Sequence, residues 1–161
     1  MPQLSLHTPV GDLTVSEENG AIVAIDWGWG RDQAISSVLR DARKQLHEYF
    51  DGTRNTFDLP LAPTGSAYRQ RVWRCLSDIP YGDVRSYREI AAVAGGSARS
   101  VGGANGHNPI PIVIPCHRVL ASNGAGGYTI GGYSGGDGLD TKRYLLRLEA
   151  ASVPLSLTAS L

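Results

Sequence analysis

The sequence predicts an α+β chain in two parts: a small antiparallel sheet with one helix, then a mainly helical part built around a helix-turn-helix. Three observations carry that expectation. The first thirty residues alternate apolar and polar side chains in short runs broken by turn chemistry, the period of half-buried strands. From residue 32 the period changes to that of an amphipathic helix. Further on, two short helical segments follow one another, separated by Gly95-Gly96 and each preceded by a serine able to cap it.

The runs "QLSLHT", "DLTVS" and "AIVAIDW" are separated by "PVGD" and "EENG", which predicts a three-stranded meander. Over residues 32–51, Ile35, Val38, Leu39, Ala42, Leu46 and Phe50 fall on one helical stripe, with Gly52 as the stop. "TRNTFDLPLAPTGS" reads as a linker, so the boundary is placed near residue 64, giving parts 1–64 and 65–161. A second helix is expected from Ser66 to Ile79, with Tyr68, Val72, Leu76 and Ile79 inward and Pro80 ending it. "SYRE" (86–89) fits a capping box, opening a helix that stops at Gly95. Ser97 then caps "ARSVGGANG". "PIPIVIPCHRVL" (109–120) is expected as a proline-stiffened apolar strand, the glycine-rich stretch 122–138 as loop or hairpin, and Leu139 to Glu149 as a final amphipathic helix.

Composition narrows the class. Hydrophobic residues at 42% with 19% charged are those of a globular protein without disorder. The start lacks a basic region followed by an apolar core, so no signal peptide is expected. No apolar run reaches the roughly 18 residues of a membrane span. Two cysteines, Cys75 and Cys116, then imply reduced thiols and a cytoplasmic setting. Net charge is zero but uneven: residues 1–64 hold 5 Lys+Arg against 9 Asp+Glu, residues 65–161 hold 10 against 6. A basic second part suits a polyanion, and equally a solvated arginine-rich face.

The chemistry concentrates at Cys116-His117-Arg118. A thiol at its ordinary pKa is mostly protonated at neutral pH, and a neighbouring cation or base activates it. Adjacency alone does not establish contact, because successive side chains on a strand face opposite ways. His107, His47 or His7 would serve equally as the base. No zinc site is expected, since no CxxC occurs and two cysteines with scattered histidines do not give four ligands at usual spacing. The local signature of papain-like proteases is absent as well.

The segment "NPIPIVIPCHRV", preceded by "SARSVGGANGH" and "IPYGDVRSYREIAAVAG", closely resembles the O(6)-alkylguanine-DNA alkyltransferases, also called methylated-DNA–protein-cysteine methyltransferases. The resemblance is strong from about residue 65 to 149 and looser over 1–60, where it implies a ribonuclease-H-like amino-terminal domain ahead of a winged helix-turn-helix-like one. It implies a monomer that binds duplex DNA through the minor groove and rotates the damaged guanine out of the stack. The alkyl group of O(6)-alkylguanine, and of O(4)-alkylthymine, then passes irreversibly to cysteine, once per chain, with no cofactor and no metal.

By motif position, Cys116 resembles the acceptor. His117 resembles the base that withdraws its proton through a bound water, and Glu149 the carboxylate that orients the histidine. Asn108 resembles the hinge bracing the helix-turn-helix against the active-site segment. Arg99 resembles the finger that fills the space of the extruded nucleotide. Tyr87 resembles the tyrosine that turns the nucleotide and donates to the guanine ring. Ser100, Val101, Gly102, Gly103 and Ala104 would form the recognition helix, small enough for the minor groove. Pro111, Val119, Tyr133 and Ser134 match positions lining the guanine pocket, although Tyr128 competes with Tyr133 for that alignment.

The chain departs from the family pattern in the long "AGGYTIGG" and "GGDGLDTK". Two readings of segment 123–138 stand side by side: a mobile rim over the guanine pocket, and a wing touching backbone phosphates. No cysteine precedes Cys75, so neither the zinc site of some members nor the phosphotriester acceptor of regulatory relatives is expected. A lesion-binding sensor, or a transcription regulator without transfer, is the rival reading. Sensors of that lineage have lost the cysteine that this chain keeps. A cysteine hydrolase would need neither the helix-turn-helix nor Arg99.

Overall fold

The computed structural model describes residues 1–151, and the chain divides into two compact units, Met1–Thr64 and Gly65–Leu161. In the first, β1 (Gln3–Leu6), β2 (Leu13–Glu18) and β3 (Ala21–Trp27) form the antiparallel meander in the order β1-β2-β3. The register pairs Leu4 with Val15 and Val15 with Ile25, so one face presents Leu4, Leu6, Leu13, Val15 and Ile25 to the helix α1 (Ser37–Phe50).

The opposite face is also covered, which the alternation does not predict. Ser5, Thr14 and Ser16 are buried there beneath the segment following β3. Gly30 N and Gln33 Nε2 donate to Ser5 Oγ at 3.0 and 2.9 Å, and Thr14 Oγ1 donates to Gly28 O at 2.7 Å. These hydroxyls are satisfied inside the unit rather than by solvent.

Helix α1 starts later than the stripe suggests. Ser36 caps it by accepting from Leu39 N, and Ile35 lies outside, 65% exposed. The buried stripe is therefore Leu39, Ala42, Gln45, Leu46, Tyr49 and Phe50. The supposed linker is fastened to the unit as well. Ile22 N donates to Pro60 O and Ala62 N to Ile22 O, both at 2.8 Å, while Gln45 exchanges two hydrogen bonds with the Asp58 backbone. The prolines exclude regular ladder pairing, yet the free carbonyls between them still find donors.

In the second unit, α2 (Ala67–Ser77) is capped by Ser66 and ends ahead of Pro80; Ile79 is buried just past the helix. Trp73, absent from the expected stripe, is buried and donates Nε1–H to Ala104 O at 2.9 Å. Next come β4 (Arg85–Ser86), α3 (Tyr87–Ala94) and α4 (Ala98–Gly106), the last two each opened by a complete capping box. The turn between these helices uses Gly95 and Gly96 at positive φ. A Cβ on Gly96 would sit 2.4 Å from Ser100 Oγ and 2.6 Å from Tyr68 OH, two groups that hydrogen-bond each other across the helix-turn-helix. Gly96→Ala is therefore expected to destabilise by about 1–2 kcal/mol, read as a lowered midpoint in thermal melts.

Residues 109–115 do not form the expected strand. Three prolines lack the donors a ladder needs, and the segment folds as turns held by a bridge between Pro111 and Ile114. Ile112 adopts φ +74, an unusual conformation for a β-branched residue. Cys116–Arg118 is one turn of 3₁₀ helix, followed by β5 (Val119–Ser122), which lies parallel to β4 and antiparallel to β6 (Tyr128–Thr129). Helix α5 (Leu139–Ala150) closes the described chain. Among the described residues, no helix is long and apolar enough to cross a membrane.

Candidate active site

The 3₁₀ turn explains how three adjacent side chains serve three purposes. With three residues per turn, consecutive side chains point about 120° apart. Cys116, His117 and Arg118 are 5%, 0% and 6% exposed. His117 Nε2 lies 2.6 Å from Glu149 Oε2. Arg118 donates from Nε to Glu149 Oε1 at 2.7 Å and from its guanidinium to Oε2 at 3.1 Å, and a third donor reaches Ile79 O at 2.7 Å. Burial alone would raise the Glu149 carboxyl, but His117 and the Arg118 fork outweigh it and hold the carboxyl well below the usual range. The structure thus pairs His117 of the 3₁₀ turn with Glu149 of α5 in the interior, next in the chain to the buried Cys116, with the imidazole oriented by a firmly ionised carboxylate.

Burial pushes the Cys116 thiol up, while hydrogen bonds from the Asn108 and Tyr133 side chains and the charge of Lys142 pull it down. The balance leaves the resting thiol protonated, so a base must remove its proton before it attacks. Asn108 also donates to Ile114 O at 2.8 Å and accepts from Ile110 N at 3.0 Å, fixing the strained turn that leads to the thiol. Burial, then the neighbouring thiol, push the Tyr133 hydroxyl far up, which keeps it a donor. Tyr133 therefore stands at Cys116, whereas Tyr128 donates to Glu89 Oε1 at 3.1 Å and packs against Val84, Leu120 and Leu146.

Sequence reasoning misses two participants and places a third differently. Arg118, read there as a cation beside the thiol, is instead the second clamp on Glu149. Lys142 is fully buried, donating to Val119 O at 2.7 Å and Gly132 O at 3.0 Å, its pKa pushed down by burial to about 8. A signal existed: Lys142 is seven residues before Glu149, on the same helical stripe as Leu145 and Leu146. Asn105, 7% exposed on the inner face of α4, donates Nδ2–H to Cys116 O at 3.2 Å.

The remaining residues divide. Tyr87, half-buried at the start of α3, has a hydroxyl raised by burial and held by the Gly132 backbone, and its ring lies 5.9 Å from Lys142 Nζ. A cleft of about 260 Å³ opens beside it, lined by Arg88, Ala98, Ala121, Ser122 and Gly124. Arg99 and Ser100 are exposed on the first turn of α4, but the Ser100 hydroxyl is engaged by Ser97 and Tyr68. Gly102 and Gly103 face open space. Ala104 is not on that surface: at 3% exposure it packs inward with Val101 and Asn105, because the helical period turns every third or fourth residue to the core. Pro111 and Val119 are buried as well, while Tyr133 is half-buried and Ser134 exposed.

The glycine-rich segment is two things. Residues 119–129 form a hairpin anchored by Tyr128. Residues 131–134 return to the site, with Gly131 at φ +68 so close to the Tyr87 ring that a Cβ would lie 3.2 Å from it.

The chain matches two family models: the ribonuclease-like domain of 6-O-methylguanine DNA methyltransferase over residues 4–63, and the DNA binding domain of the same protein over residues 67–151. A methylated-DNA–protein-cysteine methyltransferase of Mycolicibacterium paratuberculosis is 52% identical, over 96% of this chain and 95% of that relative. The constitutive methylated-DNA–protein-cysteine methyltransferase of Bacillus subtilis is 40% identical, over 91% and 93%. Among solved structures, the O6-methylguanine methyltransferase of Mycobacterium tuberculosis superposes with TM-score 0.81 at 36% identity, covering 98% of each chain. The same organism's protein in complex with DNA gives 0.80 at 37% identity, again covering 98% of each.

Proposed function

Because the chain belongs to the 6-O-methylguanine DNA methyltransferase family, we propose that it repairs O(6)-alkylguanine in DNA by accepting the alkyl group on Cys116. The observation that carries this assignment is the buried Cys116 on a 3₁₀ turn whose next residue, His117, is paired to Glu149 at 2.6 Å. His117 takes the thiol proton, and Glu149 stabilises the imidazolium that results. The thiolate sulfur attacks the alkyl carbon, a C–S bond forms as the C–O6 bond breaks, and the bond's electrons go to the guanine oxygen. A proton returned to the base completes the exchange. Tyr133 and Asn108 donate to the sulfur while it is charged. The product is a thioether with no leaving tendency, so each chain acts once.

DNA recognition follows from α4. Gly102 and Gly103 have nothing within 4 Å of an added Cβ, so the protein's own packing does not require glycine there. A narrow groove outside it does. Cys116 is 5% exposed, so the rim 131–134 must give way for the flipped base to reach it. The two free cysteines suit a reducing cytoplasm.

The test is incubation with duplex DNA carrying O(6)-methylguanine, followed by intact mass and peptide mapping. One methyl per chain, on Cys116, is expected; many turnovers or a label on Cys75 would overturn the assignment. Arg99→Ala is expected to slow repair in duplex DNA by about 10–100-fold while leaving transfer from the free modified base nearly unchanged, since only the duplex demands unstacking. Equal slowing of both would make Arg99 a residue of the pocket or the fold.

A further inference from the structure

Two buried polar atoms flank the Cys116 peptide without a hydrogen-bond partner among the described residues: Asn105 Oδ1 and His117 Nδ1. Neither is accidental in its orientation. Asn105 must turn its NH2 group to Cys116 O, because a carbonyl can only accept, and this leaves Oδ1 as the free end of the amide. His117 turns Nε2 to the Glu149 carboxylate, which also only accepts, so Nε2 carries the hydrogen and Nδ1 of the neutral ring is a bare acceptor. Leaving two acceptors buried and unmet forfeits the hydration of both with nothing in return. One small molecule with two O–H donors would satisfy both acceptors and would keep a lone pair to accept a third hydrogen.

We propose that Asn105 is a positioning residue for proton removal from Cys116, its Oδ1 holding the water that passes the proton to His117. The inference rests on Cys116 as the alkyl acceptor. The water accepts from the Cys116 S–H and donates one hydrogen to Asn105 Oδ1 and the other to His117 Nδ1, the three bonds typical of a buried water. On transfer, the thiol proton moves to the water oxygen and the hydrogen directed at His117 moves to Nδ1. Sulfur is left as thiolate, water is regenerated, and the imidazolium faces Glu149. Asn105 Oδ1 accepts the same hydrogen before and after, and this occupation leaves the water only one hydrogen to pass on.

The other ionisable groups around the thiol have their own engagements. Lys142 of α5 holds the Val119 and Gly132 carbonyls, Arg118 holds Glu149, and Tyr133 donates to the sulfur. Tyr87 of α3 is held by the Gly132 backbone. Because Asn105 sits on α4, the helix assigned to the minor groove, the same side chain links DNA engagement to thiol activation.

Transfer from free O(6)-benzylguanine, with no DNA present, isolates this role from helix docking. Asn105→Leu is expected to slow it about tenfold, the worth of one hydrogen bond. The rising limb of its pH–rate profile should move to higher pH, and the solvent deuterium isotope effect should change. Asn105→Ala, which leaves room for a second water, should recover part of the rate. A wild-type rate and profile on the free base, with loss only on duplex DNA, would reduce Asn105 to a tie between α4 and the Cys116 peptide and overturn the proposal. Should both variants melt too low to assay, a crystal structure of the wild-type protein decides: a water within hydrogen-bond distance of both Oδ1 and Nδ1 supports it, and none there refutes it. A wild-type chain that transfers nothing would instead overturn Cys116 as acceptor.

Discussion

Cys116→Ser is expected to transfer no alkyl group at all while remaining folded and bound to DNA. The substitution removes one polarisable atom from a site that is 5% exposed and replaces it with a smaller one. Asn108 and Tyr133, which donate to sulfur, can donate to a hydroxyl oxygen, so the pocket keeps its hydrogen bonds. What is lost is nucleophilicity. A serine hydroxyl is far weaker at its own pKa than a thiol, and the imidazole that suffices for a thiol leaves it almost wholly protonated. The exposed face of α4, with Arg99, Gly102 and Gly103, is untouched. Duplex affinity should therefore stay within a few-fold of wild type in a fluorescence-anisotropy titration, and should weaken with salt as phosphate contacts require. Intact mass after incubation with methylated duplex should show no adduct. An adduct appearing on Cys75 in this variant would contradict the assignment, and so would lost DNA binding in a protein that still melts cooperatively.

Much of the fold was legible because its signals are local. Capping serines at 36, 66, 86 and 97 all start helices, the first of them only once the stripe is shifted past Ile35. Turn chemistry separated the three strands of the meander, and Pro80 and Gly95 mark where helices have ended. What escaped was whatever depends on partners distant in sequence. The second covered face of the meander needs Gln33 to reach Ser5, which no periodicity encodes. The "PIPIVIP" run reads as a strand by composition, but prolines withhold the donors a strand requires, and the chain turns instead. That change decides the site. On a strand Cys116 and His117 would have faced apart, whereas on a 3₁₀ turn both are buried and His117 meets a carboxylate 32 residues away. Cys116, His117 and Glu149 were named from a motif, and motifs record which residues recur. In the motif Arg118 reads as a cation beside the thiol, and Lys142 and Asn105 carry no assigned role, because the contacts that define all three exist only in the fold. Ala104 erred the other way: a run of small residues looks uniform in sequence, while the helix turns one of them inward.

Glu149→Gln is expected to cost both stability and rate, and its pH dependence separates the two. Glu149 is 1% exposed and serves three donors with two oxygens: His117 at 2.6 Å, and the two Arg118 contacts at 2.7 and 3.1 Å. A glutamine offers one oxygen and turns an NH2 group toward the other donors. Arg118 keeps its charge in the interior, paired only to a neutral amide and to Ile79 O. Removing one partner of a buried ion pair typically costs about 3–5 kcal/mol, seen here as a lowered urea midpoint at neutral pH. The sign with pH follows from the depressed folded pKa. Unfolded, the carboxyl titrates near its ordinary value of 4.5; folded, it titrates well below that. Between those two values the unfolded chain binds the extra proton, so this stabilisation is full above the ordinary value and declines as pH falls toward the folded one. Glutamine has no such titration. The stability gap between wild type and variant should therefore be widest at neutral pH and shrink on acidification below about pH 4.5. A gap that stayed constant would mean the carboxylate contributes shape and not charge. Transfer should fall by about 10²–10⁴-fold, the range of a general base that loses its orientation and its counter-charge. That loss should be equal on free base and on duplex, because Glu149 touches neither. A deficit confined to duplex DNA would place Glu149 in the fold of the DNA-binding unit and leave His117 without its proposed support.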